Sequence, residues 1–171
     1  EEIIDATLRI AAEEGVQKAT TQAIADRVGI AQPTIFRHFS TRSALFQAAM
    51  DWIANHLFHA IGPAFESSAP ADQRLRRLLE TQLDFIARHR GLPRLLFSER
   101  LHLEDPDLKR TVTRIMEAYS ARVADLIRAG QAEGRFHPDV DPDETALQIT
   151  ALIQGKDIAH WLMHCVSASD S

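Results

Sequence analysis

A short segment of the chain groups side chains that can form hydrogen bonds with the edges of DNA bases. In residues 32–39, QPTIFRHF, Ile35 and Phe39 are four positions apart and therefore share the inner face of a helix. The opposite face and its flanks then carry amide, hydroxyl, aromatic and guanidinium groups, from Gln32, Pro33, Thr34, Phe36, Arg37 and His38. A short helix with this outer face fits the major groove, where such groups distinguish base pairs.

A second helix must hold this segment in place. Residues 21–28 have apolar side chains at helical spacing, and Thr20 or Thr21 offers an oxygen to cap their first turn. Gly29 follows where this helix has to stop and the chain has to turn through a left-handed conformation. The pattern predicts a helix-turn-helix with a small shared core. An ordinary helical hairpin of a bundle is the alternative, and it leaves Phe36 and Arg37 unexplained.

The residues around this unit resemble the DNA-binding head of the tetracycline-repressor (TetR) family of bacterial transcription regulators. The resemblance spans Ile3 to Met50 and rests on matching positions at Ile3, Ala6, Ala11, Gly15, Thr21, Ile24, Ala25, Gly29, Thr34, His38, Phe39 and Leu45. It implies that Thr21, His38 and Arg42 position the phosphate backbone, whereas Gln32, Pro33, Thr34, Phe36 and Arg37 face base edges. Three positions depart from the family pattern: Ala31 replaces a serine, Gln32 a common lysine and Phe36 a common tyrosine.

Composition favours an intracellular binding protein. The 171 residues carry a net charge of −5, yet three arginines and a single aspartate fall between Thr20 and Leu45. A basic head on an acidic body fits sequence-specific DNA binding better than a general nucleic-acid coat. Cys165 is the only cysteine and no apolar run is long enough to cross a bilayer, so we expect a cytoplasmic protein without membrane contact. The resemblance also implies a basic arm upstream of Glu1, part of which can lie outside this sequence.

The remaining sequence predicts an all-α fold with no strands. We expect further helices over about residues 41–59, 72–90, 92–102, 106–134 and 142–166, with Leu83 among the inward-facing side chains of the second. Asp105-Pro106 and Asp141-Pro142 each predict a cap followed by a first-turn proline at the start of the last two helices. Gly62-Pro63 and residues 67–70 predict a loop. The sequence thus divides into a DNA-binding head, residues 1–48, and a ligand-binding and dimerisation body, residues 61–171, linked by the fourth helix, about 41–60.

Small residues in the last helix suggest a dimer interface. Ala151, Gly155 and Ala159 follow one another at steps of four, which forms a smooth stripe where a second helix can approach closely. Packing inside the subunit is the alternative. We favour a homodimer because one head reads too few base pairs to find a unique site.

The body also offers candidates for an effector pocket. The resemblance implies that its helices surround a small, mostly apolar effector, with candidate contacts at Phe85, His89, Phe97, His102, Met116, Tyr119 and Lys156. For each of these, a role in the ordinary core is the alternative. The overall prediction is a repressor that binds a palindromic operator in double-stranded DNA as a dimer and is released by the effector; a dimeric regulator without an effector pocket is the second reading.

Metal binding and catalysis are the competing chemistries. His160 and His164 lie four apart beside Cys165, and His56 and His59 lie three apart, but neither pair has the further ligands a site needs. Glu99 and His102 form one E-x-x-H motif. A di-iron helical bundle requires two such motifs and two further glutamates. We therefore predict no metal, no cofactor and no catalytic residues; a metal-dependent helical-bundle enzyme is the remaining alternative.

Overall fold

The computed structural model describes residues 1–89, 92–96 and 98–153, and within these ranges the regular elements are helices. They are α1 (Glu2–Glu13), α2 (Thr21–Val28), α3 (Gln32–His38), α4 (Arg42–Glu66), α5 (Ala71–Arg88), α6 (Leu92–Leu96), α7 (Glu99–Glu104), α8 (Pro106–Ala132) and α9 (Pro142–Ile153), with a short 3-10 turn at Val16–Lys18. The all-α prediction is confirmed. Across the described ranges, every helix is too short or too polar to cross a membrane.

The helix-turn-helix forms where the sequence predicts it. Of the two candidate caps, Thr20 closes the first turn of α2, because its hydroxyl oxygen accepts a hydrogen bond from the Ala23 amide at 3.1 Å. Gly29 ends α2 with φ of 79°, a left-handed conformation that glycine adopts without a steric penalty. Ile24 and Ile35 are fully buried between the helices, so α2 fixes the orientation of α3.

Helix α4 is longer than predicted. The expected loop at Gly62-Pro63 is wrong, because the helix runs on to Glu66. Proline removes one backbone hydrogen bond from a helix, but its neighbours Ile61 and Ala64 are almost completely buried. Burial of these side chains offsets the lost bond, and Pro63 itself lies on the exposed side.

Two further expectations for the body need correction. Leu83 was expected to face inward, but half of it is exposed, and Gln82 takes the buried position beside Leu78 and Phe85. The single helix predicted over residues 92–102 is instead α6 and α7, since Ser98 caps a new helix by accepting from the Leu101 amide. The caps at Asp105 and Asp141 are confirmed at the starts of α8 and α9.

Helix α8 is the centre of the body, since α4, α5, α7 and α9 all pack against it. The buried apolar side chains form one cluster, which extends from Leu8 and Ile10 in α1 to Ile127 and Ala146 in the body. Head and body therefore share a continuous core. The proposed division into residues 1–48 and 61–171 stays a prediction.

A glycine in α8 allows the end of the body to close. Gly130 is buried, and a Cβ atom placed there would lie 2.2 Å from the ring of Phe136 and 3.0 Å from the Cβ of Ala71. The chain after α8 folds back over this position, where the amides of Arg135 and Phe136 both donate to the Gly130 carbonyl. Gly130 thus provides space for an aromatic ring.

We expect Gly130→Ala to lower the free energy of unfolding by about 1–3 kcal/mol, because the added methyl group overpacks the Phe136 ring. The matched control is Gly62→Ala. Gly62 is also helical, but a Cβ there meets nothing within 4 Å, so the substitution should stabilise the protein by up to about 1 kcal/mol. Urea unfolding of the three proteins measures both effects, and equal stability of the two variants would contradict this account.

Candidate DNA interface and effector cavity

The outer face of α3 is free to meet a partner. Pro33, Phe36, Arg37 and His38 are exposed, and Phe36 leaves 46% of its surface open to solvent. Arg37 forms no ion pair with any described residue, so its guanidinium donors remain available. The exposed Phe36 ring beside the unpaired Arg37 guanidinium is the arrangement that the sequence predicts for contact with base edges.

Gln32 and Thr21, two of the predicted DNA contacts, also bind each other. The Gln32 amide Nε2 donates to Thr21 Oγ1 at 2.9 Å, which joins the start of α3 to the start of α2. Both residues are half-buried, as is Thr34. Ala31, which precedes α3, provides no side-chain cap. The Gln32–Thr21 bond therefore adds an attachment for α3 where the usual serine cap is missing.

Arg42 holds the first turn of α4 against the head. Its Nε donates to the Ala19 carbonyl at 3.2 Å and its Nη2 to the Val16 carbonyl at 3.0 Å. The guanidinium also lies 4.6 Å from the centre of the Phe46 ring. Burial lowers the pKa of Arg42, and the nearby charge of Glu104 acts in the opposite direction. The sequence did not predict these two hydrogen bonds. They use two of the five N–H donors of the guanidinium, and three remain for a phosphate.

The third arginine between Thr20 and Leu45, Arg27, already has acidic partners. Arg27 forms ion pairs with Glu13 at 2.9 Å and with Glu14 at 3.1 Å, both near the end of α1. These exposed pairs tie α2 to α1. They leave Arg37 and Arg42 as the arginines in α3 and in the start of α4 for contact with DNA.

A narrow cavity of about 20 Å³ lies inside the body between α4, α5, α6, α8 and α9. It is lined by Leu57, Gln82, Phe85, Ile86, Leu92, Pro93, Leu96, Met116, Tyr119 and Thr150. The structure brings together three of the predicted pocket residues, Phe85, Met116 and Tyr119. His89 lies beside the cavity, not in its wall: its ring packs 4.4 Å from that of Phe85, and its Nδ1 is 2.9 Å from the Phe85 carbonyl.

The other pocket candidates, Phe97, the His102 side chain and Lys156, fall outside the described part of the structure. The same holds for Gly155 and Ala159 of the predicted dimer stripe, and for His160, His164 and Cys165. Among the described residues, no three His, Cys, Asp or Glu side chains are grouped as metal ligands. His56 instead stacks on Trp52 at 3.8 Å, with its Nδ1 2.8 Å from the Trp52 carbonyl.

Polar groups in the cavity wall are few and paired. The Tyr119 hydroxyl donates to Gln82 Oε1, and burial raises the pKa of Tyr119 despite this bond. The Thr150 hydroxyl donates to the Ala146 carbonyl at 2.7 Å. Sequence reasoning missed Gln82 and Thr150. A signal existed for Gln82, since it interrupts the apolar spacing from Leu78 to Phe85.

Helix α9 exposes three apolar side chains on the side that faces away from the body. Ala146 and Thr150 are buried against α8, whereas Leu147, Ala151 and Leu152 are exposed, with 61% of Leu147 open to solvent. Ala151, the first residue of the predicted stripe, therefore lies on the outward face. Glu144 and Gln148 are also exposed and lie between these apolar side chains around the helix, so the outward face is mixed.

Comparison with known proteins identifies both halves of this arrangement. Residues 3–49 match the bacterial regulatory proteins of the tetR family, and residues 68–163 match a tetracyclin repressor-like C-terminal domain. The nucleoid occlusion factor SlmA of Vibrio cholerae is 26% identical over 157 residues, which cover 91% of this chain and 80% of that protein.

Two solved structures share the fold. A putative transcriptional regulator from Saccharomonospora viridis in complex with choline has a TM-score of 0.79 and 26% identity, covering 90% of this chain and 80% of that one. FadR from Bacillus subtilis in complex with stearoyl-CoA has a TM-score of 0.76 and 18% identity, with 95% and 87% covered. The two matched domains extend over most of the sequence, and the chain belongs to the TetR family of transcriptional regulators.

Proposed function

We propose that this regulator is a homodimeric repressor that binds a two-fold symmetric operator and is released by a small, mostly apolar effector. The observation that carries the proposal is the pairing of an open recognition face on α3 with a closed cavity in the body. Helix α4 connects the two, since it contains both Arg42 and Leu57 of the cavity wall.

The DNA-binding half of the proposal rests on the surface of the head. Arg37 and Phe36 are exposed at the centre of α3, and we place them in the major groove with Pro33, Thr34 and Gln32. Arg42, Thr21 and His38 contact the phosphate backbone. Two heads of a dimer then meet half-sites one helical turn apart, roughly 34 Å.

The effector half rests on the composition and size of the cavity. Its wall is apolar except for Gln82, Tyr119 and Thr150, which suits an apolar molecule with one hydrogen-bonding group. Ligand sites typically measure about 300–1,000 Å³, whereas this cavity measures about 20 Å³. An effector must displace the wall, including Leu57, and α4 carries that displacement to the head. Choline and stearoyl-CoA, bound by the two structural neighbours, differ so much that the effector class is inferred from this wall alone.

We place the dimer contact of this proposal on α9. Leu147 and Ala151 lie four residues apart on its outward side, beside Glu144 and Gln148, and the predicted stripe continues along the sequence to Gly155 and Ala159. Two-fold symmetry brings the same side of α9 from each subunit together, so that every contact in the interface occurs twice.

Arg37→Ala should cost about 1–3 kcal/mol of operator binding and relax the preference at one base pair in each half-site, because a bidentate contact with guanine is lost. Arg27→Ala is the matched control: its guanidinium is occupied by Glu13 and Glu14, and base preference should not change. Binding titrations on operator variants measure this. If the base preference of Arg37→Ala is unchanged, Arg37 does not contact a base edge.

Leu147→Glu should convert the dimer to a monomer, since it introduces a charge into the apolar contact in both subunits. Sedimentation velocity measures the state, and circular dichroism checks that the variant stays helical. Leu83→Glu provides the control, because Leu83 is also an exposed leucine but lies on α5. If the Leu147 variant remains a dimer, the contact lies elsewhere.

For the effector, n-decanol is a suitable probe because it combines an apolar tail with one hydroxyl group. It should raise the melting temperature of the protein by mass action and weaken operator binding. Leu57→Phe fills the cavity and should abolish both effects, whereas Leu83→Phe on the surface should leave them intact. If neither decanol nor its shorter and longer homologues change the melting temperature or operator binding of the wild type, the alternative function, a regulator without an effector, is favoured.

A further inference from the structure

We infer that the effector enters the cavity from a groove between the head and the body, and that the side chain of His89 acts as the gate. This inference rests on the proposed effector function and adds the route by which the ligand arrives. The groove, named the junction groove, has a volume of about 380 Å³ and lies between α1 and the end of α5. Its lining combines charged side chains of both helices with His89 and with three apolar residues, Leu8, Ala12 and Ala87.

A route is needed because the cavity is enclosed by packed side chains. The described wall residues are buried, apart from Ile86, Pro93 and Met116, which are half-buried. The volume of about 20 Å³ accommodates roughly one water molecule. An effector therefore enters only if a side chain of the wall, or one that supports the wall, turns aside.

His89 joins the junction groove to the cavity. It lines the groove, and its ring centre lies 4.4 Å from that of Phe85, which lines the cavity. The His89 ring also meets the Trp52 ring of α4 edge to face, with the ring centres 5.5 Å apart. A ligand in the groove that turns the His89 ring aside therefore meets Phe85, a side chain of the cavity wall, next.

The His89 ring can turn more easily than the buried side chains of the wall. His89 is the C-cap of α5, with φ of −118° and ψ of 63°, and its side chain is half-buried. Water in the groove can replace the hydrogen bond between its Nδ1 and the Phe85 carbonyl. Leu57 and Tyr119 lie in the packed core, where a similar rotation displaces neighbouring side chains. The gate therefore lies at His89, and Phe85 follows by turning into the space that the His89 ring leaves.

The junction groove suits the passage of a mostly apolar molecule. Asp5 pairs with Arg9 at 2.8 Å, and Glu13 pairs with Arg27 at 2.9 Å. Arg88 is the fourth charged residue of the lining and is exposed to solvent. Three of the four charged side chains are thus already partnered by opposite charges, and an apolar molecule passes along the alanines and the leucine without separating a charge from its partner.

A gate that does not touch the bound ligand changes the rates of binding without changing the affinity. The probe is β-naphthol, an apolar molecule with one hydroxyl group whose own fluorescence reports transfer out of water, and stopped-flow mixing with the full chain gives kon and koff. His89→Ala should raise both rate constants by about tenfold and His89→Trp should lower both, with Kd constant within a factor of about two. Leu83→Ala and Leu83→Trp, at an exposed position of α5 outside the groove lining, are the matched controls.

A chemical block of the junction groove tests the route independently of the gate. In a Cys165→Ser background, which removes the only cysteine, Ala87→Cys is labelled with a bulky maleimide. The label should lower both rate constants by about tenfold or more. The control is Thr113→Cys, labelled in the same way. Thr113 is exposed and lies three residues before Met116, a half-buried wall residue that marks the alternative route past α8.

Each outcome has a separate meaning. If the His89 variants change koff and Kd but not kon, His89 contacts the bound ligand and the gate is overturned. If the rates resist both the His89 variants and the Ala87 label, or if the Thr113 label slows them instead, the route through the junction groove is overturned and the effector cavity stands. If neither β-naphthol nor n-decanol binds the wild type, the proposed effector function itself fails. Circular dichroism of all variants ensures that a changed rate is not a loss of folding.

Discussion

The continuity of α4 is the constraint on which the rest of the structure depends. Its 25 residues extend without interruption for roughly 37 Å at 1.5 Å per residue. Its first turn is fixed to the head by Arg42, its middle provides Leu57 to the cavity, and its last turns bury Ile61 and Ala64 in the body. Because α4 is attached at both ends, under the proposed mechanism a displacement of its body end also moves the head.

Local chemistry could be read from the sequence wherever a few adjacent residues decide the outcome. A threonine before a helix, a glycine after it and an Asp-Pro pair each act within one turn, and Thr20, Gly29 and Asp105 all behave as predicted. The recognition face followed for the same reason: with Ile35 buried, the helical period alone places Phe36 and Arg37 outside. This part of the candidate site required no knowledge of distant contacts.

The features that the sequence did not predict depend on residues far apart in the chain. Pro63 looked like a helix end because nothing nearby indicates how deeply Ile61 and Ala64 are buried. The burial of Gln82 was not predicted, because its hydrogen-bond partner, Tyr119, is 37 positions away. Arg42 looked like a simple phosphate contact, since the carbonyls it holds belong to the connection before α2. In all three cases, tertiary packing outweighed the local preference.

The cavity wall includes the only tyrosine of the chain, Tyr119. A chemical label confined to tyrosine, such as a fluorine introduced biosynthetically on the ring, therefore reports from one place in the molecule, without contribution from any other position. Its resonance records the occupancy of the cavity, and its line shape records exchange between the closed and open walls. The protein thus contains a single-site nuclear probe at the position where ligand recognition is proposed to begin.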